Sequence, residues 1–266
     1  MQTSTAPHFD LDAAPLDVRH VTLDVRDLDR AATFYSDTLG LEPHKVSATS
    51  VTLGAMHPLL TLRAKPQAKT QRRRDAGLFH IAFLLPLRSD LGDWLRFAAQ
   101  TDTRIAGAAD HNVSEAVYLS DPEGNGIEIY TDRPVTGWRD ASGAFHMPSD
   151  RLDIGAIPLG AGWTGAPEAT RIGHVHLQTT DIPAAETFWT GLGMDITTRY
   201  PGGSFFGAGG YHHQIAANVW SSADQPPKDQ GTAGLAEITL ASRLHPHAQT
   251  LTAPSGVAIT LDPKGA

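Results

Sequence analysis

The chain has 266 residues, no Cys, and 29 acidic against 21 basic side chains, for a net charge of −8 with His neutral. The missing Cys excludes disulfides, thiolate metal ligands and a Cys nucleophile, and suits a cytoplasmic protein. The absence of a dense basic stripe argues against nucleic acid as a partner, and no apolar run is long enough to span a bilayer.

Residues 1–18 lack the basic and apolar regions of a secretory leader, so none is expected. Residues 20–25 alternate apolar and polar, which predicts a half-buried strand headed by His20. Asp27 and Asp29 are placed to cap a helix whose buried face is Leu28, Ala31, Ala32, Phe34, Tyr35 and Leu39, with Gly40 at its end. Short strands near 43–48, 50–54 and 59–63 complete a β-α-β-β-β order. The run Arg72, Arg73, Arg74 reads as a solvated loop.

The order then repeats. A strand over 78–84 carries His80, a helix runs from Ser89 to Ala98, and strands follow near 105–108, 115–120 and 126–131. The turn DPEGNG at 121–126 predicts a tight reversal. Residues 132–170 hold Pro134, Pro148, Pro158 and Pro167 with little periodicity, and a linker is assigned to 134–170. A third module spans 171–220, and a fourth starts at Gly234. The ending DPKGA echoes DPEGNG, so the fourth module is expected to be C-terminally truncated, short of its final strand.

Residues 19–41 and 173–193 share a His-headed strand, an Asp, a helix with Phe-Tyr or Phe-Trp, and Leu-Gly. Such self-similarity marks a fold made by repeating one unit. The expected class is α+β, with tandem βαβββ modules forming two curved mixed-sheet domains, 16–133 and 171–266.

His20 and His80 occupy equivalent first-strand positions, and Glu128 lies in the apolar strand GIEIY. A carboxylate there is costly unless paired or metal-bound. If the first two modules share a concave face, His20, His80 and Glu128 form a facial triad that suits Fe(II), and the same donors could hold Zn(II) or Mn(II). Each residue taken alone reads more readily as an ordinary hydrogen-bonded side chain, and it is the three together that favour a metal.

The strings HVTLDVRDLDRAATFY, LFHIAFLLP, ADHNVSEAVYLSDPEGNGIEIYTDRP and GGYHHQIAANVW resemble the vicinal oxygen chelate superfamily, which holds glyoxalase I, bleomycin-resistance proteins and extradiol dioxygenases. The resemblance is nearest to bacterial two-domain proteins of the catechol 2,3-dioxygenase type. It implies metal ligands at His20, His80 and Glu128. Glyoxalase I takes a further acid from the closing strand of the first module, where this chain has PLLTLRAK, so the resemblance implies a three-ligand site open to a catecholate and O2. It implies a catalytic His at His111 and a substrate-contacting hydroxyl at Tyr118, although His111 also reads as a loop residue and Tyr118 as a packed aromatic.

A second set, His174, His213 and Glu237, is the alternative. Two-domain extradiol enzymes hold iron in the C-terminal domain, and this chain departs from them by having the full set in its first repeat. Pairing the second module with the third would instead gather His80, Glu128, His174 and His213. Three functions follow. The first is an extradiol dioxygenase of aromatic catabolism using Fe(II), a small aromatic substrate and O2. The second is a glyoxalase-like lyase or isomerase on Zn(II) or Ni(II), and the third is a metal-free small-molecule binder. A homo-oligomer is expected, because open sheets have edges to cover.

Overall fold

The computed structural model describes residues 8–264; residues 1–7, part of the stretch read for a leader, and 265–266, the end of DPKGA, lie outside the described residues. Module one is β1 (Leu16–Val25), α1 (Leu28–Leu39), β2 (Glu42–Val46), β3 (Ser50–Gly54) and β4 (Pro58–Ala64). Module two is β5 (Gly77–Leu84), α2 (Arg88–Gln100), β6 (Gly107–Asp110), β7 (Ser114–Ser120) and β8 (Gly126–Asp132). Module three is β9 (Arg171–Gln178), α3 (Ile182–Gly191), β10 (Asp195–Tyr200), β11 (Gly203–Gly207) and β12 (Ile215–Asn218). Module four has only strands: β13 (Gly234–Ser242), β14 (Gln249–Thr252) and β15 (Ala258–Pro263).

Local chemistry sets the helix ends. The Asp27 carboxylate accepts from the Arg30 amide, and Gly40 closes α1 with φ 66°, a left-handed conformation that favours glycine. Asp181 accepts from the Ala184 amide at the start of α3. The buried faces of α1 and α2 carry Tyr35 and Trp94 into the core, each fully buried.

The two curved mixed sheets are present, but the modules pair otherwise than by halves of the chain. The seven-stranded sheet has the order β14-β15-β13-β1-β4-β3-β2, and the eight-stranded sheet β10-β11-β12-β9-β5-β8-β7-β6. Module one therefore pairs with module four, and module two with module three. The groups 16–133 and 171–266 are not the units in which strands pair. The physical reason is that β1, β5, β9 and β13 are all apolar first strands with the same alternation, so each can take any other as its antiparallel neighbour. One hydrophobic core runs through both sheets and includes Leu23, Ile81, Val175 and Leu235, one from each first strand.

The fourth module does have its closing strand. β15 lies parallel beside β13, as β4 does beside β1. What it lacks, among the described residues, is a helix and an outermost strand, because only six residues, including Pro246, separate β13 from β14. No helix of the described residues is long and apolar enough to cross a membrane. The segment 134–170 is more than a tether. Its Trp138 and Met147 are buried, and Asp150 forms a bridge with Asp110 on β6.

Candidate metal centre

The register of the eight-stranded sheet brings the donors together. Ile81 lies opposite Val175, and His80 and His174 sit diagonally across that pair, opposite His176 and Ala82. Ile81 and Val175 point into the core, so the imidazoles point to the opposite, concave face. Glu128 on β8 lies beside Ala82, between the core residues Ile127 and Ile129, and faces the same way. Gly173, next to His174, is needed here: a Cβ on it would come 1.7 Å from the Tyr130 hydroxyl oxygen.

His80 Nε2 lies 3.0 Å from Glu128 Oε2, His174 Nε2 lies 3.2 Å from the same oxygen, and the two nitrogens are 3.3 Å apart. Donors about 2.1 Å from one ion are spaced about 3.0 Å on an octahedral face and about 3.4 Å on a tetrahedral one. The triangle fits either. His80, Glu128 and His174 are 7%, 2% and 2% exposed, so the set is desolvated and needs a counter-charge or tight pairing. Burial alone would raise the Glu128 carboxyl, but the imidazoles of His174 and His80 outweigh it and hold the carboxyl well below its ordinary range. Burial pushes His174 down, with Glu128 opposing, and pushes His176 and His213 well down with help from neighbouring imidazoles. These rings therefore keep a nitrogen lone pair at neutral pH. His174 Nδ1 is buried without a hydrogen-bond partner among the described residues, so the carboxylate or carbonyl that usually orients a metal-ligating imidazole is missing here.

His20 is not part of this cluster. It lies on β1 in the other sheet, with Nε2 3.0 Å from the Thr61 hydroxyl. Glu237 lies on β13 in that same sheet and accepts from the Thr260 hydroxyl at 2.6 Å. The expected trio His20–His80–Glu128 and its alternative His174–His213–Glu237 are thus each divided between two sheets. The gathering that module two and module three could make is what the geometry shows: His80, Glu128, His174 and His213 all line one cavity of about 510 Å³.

The two sheets are related by register. Val21 faces Ile238 as Val175 faces Ile81, which makes His20 the counterpart of His174 and Glu237 that of His80. Thr260 lies beside Thr239 where Glu128 lies beside Ala82. Within the eight-stranded sheet, the two-fold mate of Glu128 is Ala216, beside His176 on β12. A fourth donor position therefore holds a methyl group. This is the place where the fourth acid must be sought, rather than Leu59–Leu62 of β4.

His111 and Tyr118 line the same cavity. His111 Nδ1 donates to the Pro148 carbonyl at 2.7 Å, which leaves Nε2 to accept from the Tyr118 hydroxyl at 2.7 Å. Burial, reinforced by the Glu128 carboxylate, raises the Tyr118 phenol well above its ordinary value, so it keeps its proton. On the other flank, His212 Nε2 donates to Asp132 at 2.9 Å, and the two Nδ1 atoms of His212 and His213 are 2.8 Å apart. With one proton per ring, His213 donates to His212, and its Nε2 keeps the lone pair. Tyr211 also donates to Asp132, at 3.0 Å. Sequence reasoning missed Asp132, His212 and His176 in these roles. For His176 a signal existed, since HVHLQ puts His174 and His176 on one face of a strand.

The sequence matches the Glyoxalase/Bleomycin resistance protein/Dioxygenase superfamily over residues 17–129 and 171–258. It is 39% identical over 245 residues to a Bacillus subtilis (strain 168) protein named Catechol-2,3-dioxygenase, covering 88% of this chain and 84% of that one. The fold is similar to a candidate dioxygenase from Bacillus subtilis subsp. subtilis str. 168, with TM-score 0.62, 12% identity, and 93% and 84% of the two chains covered. It is also similar to glyoxalase I from Zea mays, with TM-score 0.54, 14% identity, and 94% and 93% covered.

Proposed function

The chain belongs to the glyoxalase/bleomycin resistance protein/dioxygenase superfamily, and on that premise we propose that it is an Fe(II)-dependent extradiol dioxygenase opening a catechol ring beside its hydroxyls. The observation that carries this reading is the three-donor set His80, Glu128 and His174 with Ala216 at the fourth position. His80, Glu128 and His174 would hold the metal with three protein ligands, leaving room for a diol and O2. The name of the 39% identical relative supports the same reaction. Zn(II), Mn(II) or Ni(II) would fit the same donors, and metal content separates them. The missing fourth acid counts against the glyoxalase-like alternative.

In the overall reaction the bond between a hydroxylated ring carbon and its neighbour breaks. Both atoms of O2 enter the product, and no external reductant is consumed. When bound, the metal supplies the Lewis-acid and redox centre at which diol and O2 meet. The chain supplies proton handling. The lone pair of His213 Nε2 is placed to take a proton from a diol hydroxyl. The Tyr118 oxygen can accept a second hydrogen bond from the substrate while its own proton moves toward His111 Nε2. Asp132 holds His212, and His212 holds His213, in the tautomer that this role needs.

Protein loaded anaerobically with Fe(II) and mixed with catechol and air is expected to consume O2 and develop the visible absorbance of a conjugated semialdehyde. If a catechol panel gives no O2 uptake while iron is demonstrably bound, the lyase or isomerase class takes its place.

A further inference from the structure

The cavity lining has two kinds of surface. The metal donors and proton-handling side chains form one. Phe79, His176, Trp220, Phe205 and Tyr200 form the other, a wall of rings that begins against the donors, with the His80 ring centroid 5.2 Å from that of Phe79 and 5.0 Å from that of His176. Phe79 packs on His176 with ring centroids 4.8 Å apart and on Trp220 at 5.6 Å, and Tyr200 packs on Phe205 at 5.4 Å.

Three of these rings are exposed: Phe79 40%, Tyr200 38% and Trp220 51%. Clustered apolar surface at a pocket mouth marks what a ligand covers. The wall is also held in place. The Trp220 indole N–H donates to the Pro201 carbonyl at 3.0 Å, and its amide donates to Asn218 Oδ1 at 3.1 Å. The Asn218 amide nitrogen donates to His176 Nε2 at 2.9 Å. Asn218 therefore sets two of the rings before any ligand arrives, which lowers the ordering cost of binding.

Among the described residues, the lining holds no Lys and no Arg, and its one carboxylate is Glu128. A carboxylate on the substituent, away from the metal donors, would be desolvated with no Lys or Arg to pair it. The volume of about 510 Å³ lies within the range of pockets that enclose drug-sized ligands, so a bare one-ring diol leaves much of it unfilled.

We propose that the substrate is an uncharged catechol bearing a bulky apolar or aryl substituent, with the diol at the His80–Glu128–His174 donors and the substituent against Phe79, Trp220 and Tyr200. This rests on the dioxygenase reading for turnover, and the recognition itself does not need the metal.

The test has two arms. In the first, metal-free protein is titrated with monohydroxybiphenyl, phenol and hydroxybenzoate by isothermal titration calorimetry. Hydroxybiphenyl is expected to bind about 10–100-fold tighter than phenol, and hydroxybenzoate no better than phenol. Trp220→Ala and, separately, Phe79→Ala should each shrink that ratio several-fold. In the second, Fe(II)-loaded protein is assayed for O2 uptake. Phenyl- and tert-butyl-catechol should exceed unsubstituted catechol by about 10-fold or more in kcat/KM, and a carboxylated catechol should fall below it. Equal binding of phenol and hydroxybiphenyl overturns the inference whatever the turnover. So does turnover of plain or carboxylated catechol at least as good as that of the apolar ones, and in that case the dioxygenase reading stands. Selective binding without O2 uptake by iron-loaded protein overturns the dioxygenase reading and leaves the ligand class standing.

Discussion

The concave faces of the two sheets are built on the same register and carry different chemistry. The eight-stranded sheet presents His80, His174, Glu128 and Ala216, and the seven-stranded sheet presents Glu237, His20, Thr260 and Thr61 at the corresponding places. On the first face the donors are buried and converge on one another. On the second, Thr61 occupies His20 and Thr260 occupies Glu237 by hydrogen bonds, and the face is half-exposed. A scaffold position does not by itself make a metal site. The first face adds a third donor and burial, the combination that could hold an ion.

The sharpest way to break this comparison is to remove one ligand from each face. His80→Ala or Glu128→Ala should abolish stoichiometric metal binding and reduce turnover by roughly 10⁴-fold or more, because two remaining donors hold a labile ion poorly. His20→Ala and Glu237→Ala should leave metal content unchanged by elemental analysis. Metal lost from the His20 variant and kept in the His80 variant would reverse the assignment.

Next in size are the groups that flank the centre without belonging to it. His213→Ala and His111→Ala should each slow turnover by roughly 10²–10⁴-fold with iron retained. Asp132→Asn removes the charge that orients His212 and should cost less, about 10-fold, with a displaced pH-rate profile. A normal profile in that variant would mean that Asp132 only packs against Tyr211 and His212.

The faces should also differ in how strongly they respond to acid: burial lowers His20 on the seven-stranded face, with Glu237 opposing, but the eight-stranded face carries three such groups. His174, His176 and His213 have folded pKa values pushed below the ordinary 6.5, mainly by burial. The unfolded chain therefore binds more protons below about pH 6.5, and stability falls as pH drops. Each such group contributes up to about 1.4 kcal/mol per pH unit until its folded pKa is reached. Glu128, also depressed, adds a loss that begins lower, near its ordinary 4.5. Urea midpoints of metal-free protein should be nearly flat above pH 7 and fall steeply from pH 6.5 to 5. His176→Phe should flatten that fall, and an unaltered slope in the variant would place the titration elsewhere.

Much of this was legible before the structure. The repeat gave the βαβββ modules, and GIEIY marked Glu128 because an acid between two core isoleucines needs a partner. His80 and His174 were marked by their first-strand positions. Which of them meet was not legible, because all four first strands share one pattern and the choice of neighbour is made by tertiary packing. The same limit hid Asp132 and His212, which are 80 residues apart and meet only through the pairing of modules two and three. The role of 134–170 was hidden for a related reason: Met147 and Pro148 line the cavity from a segment without periodicity.

The smallest expected effect is also the most direct check of what separates the two faces. Thr260→Glu together with Thr61→Ala gives the seven-stranded sheet the pattern that Glu128 and Ala216 give the other. The first change supplies the missing carboxylate and frees Glu237 from the Thr260 hydroxyl, and the second releases His20 Nε2 from Thr61. The double variant should take up a second equivalent of divalent metal. That site should be weaker by about 10–100-fold, because His20 and Glu237 are half-exposed. Isothermal titration with Zn(II) on chelator-stripped protein separates a strong and a weak step. A stoichiometry that stays at one, with the fold intact by circular dichroism, would show that burial of His80, Glu128 and His174 matters more than the identity of the donors.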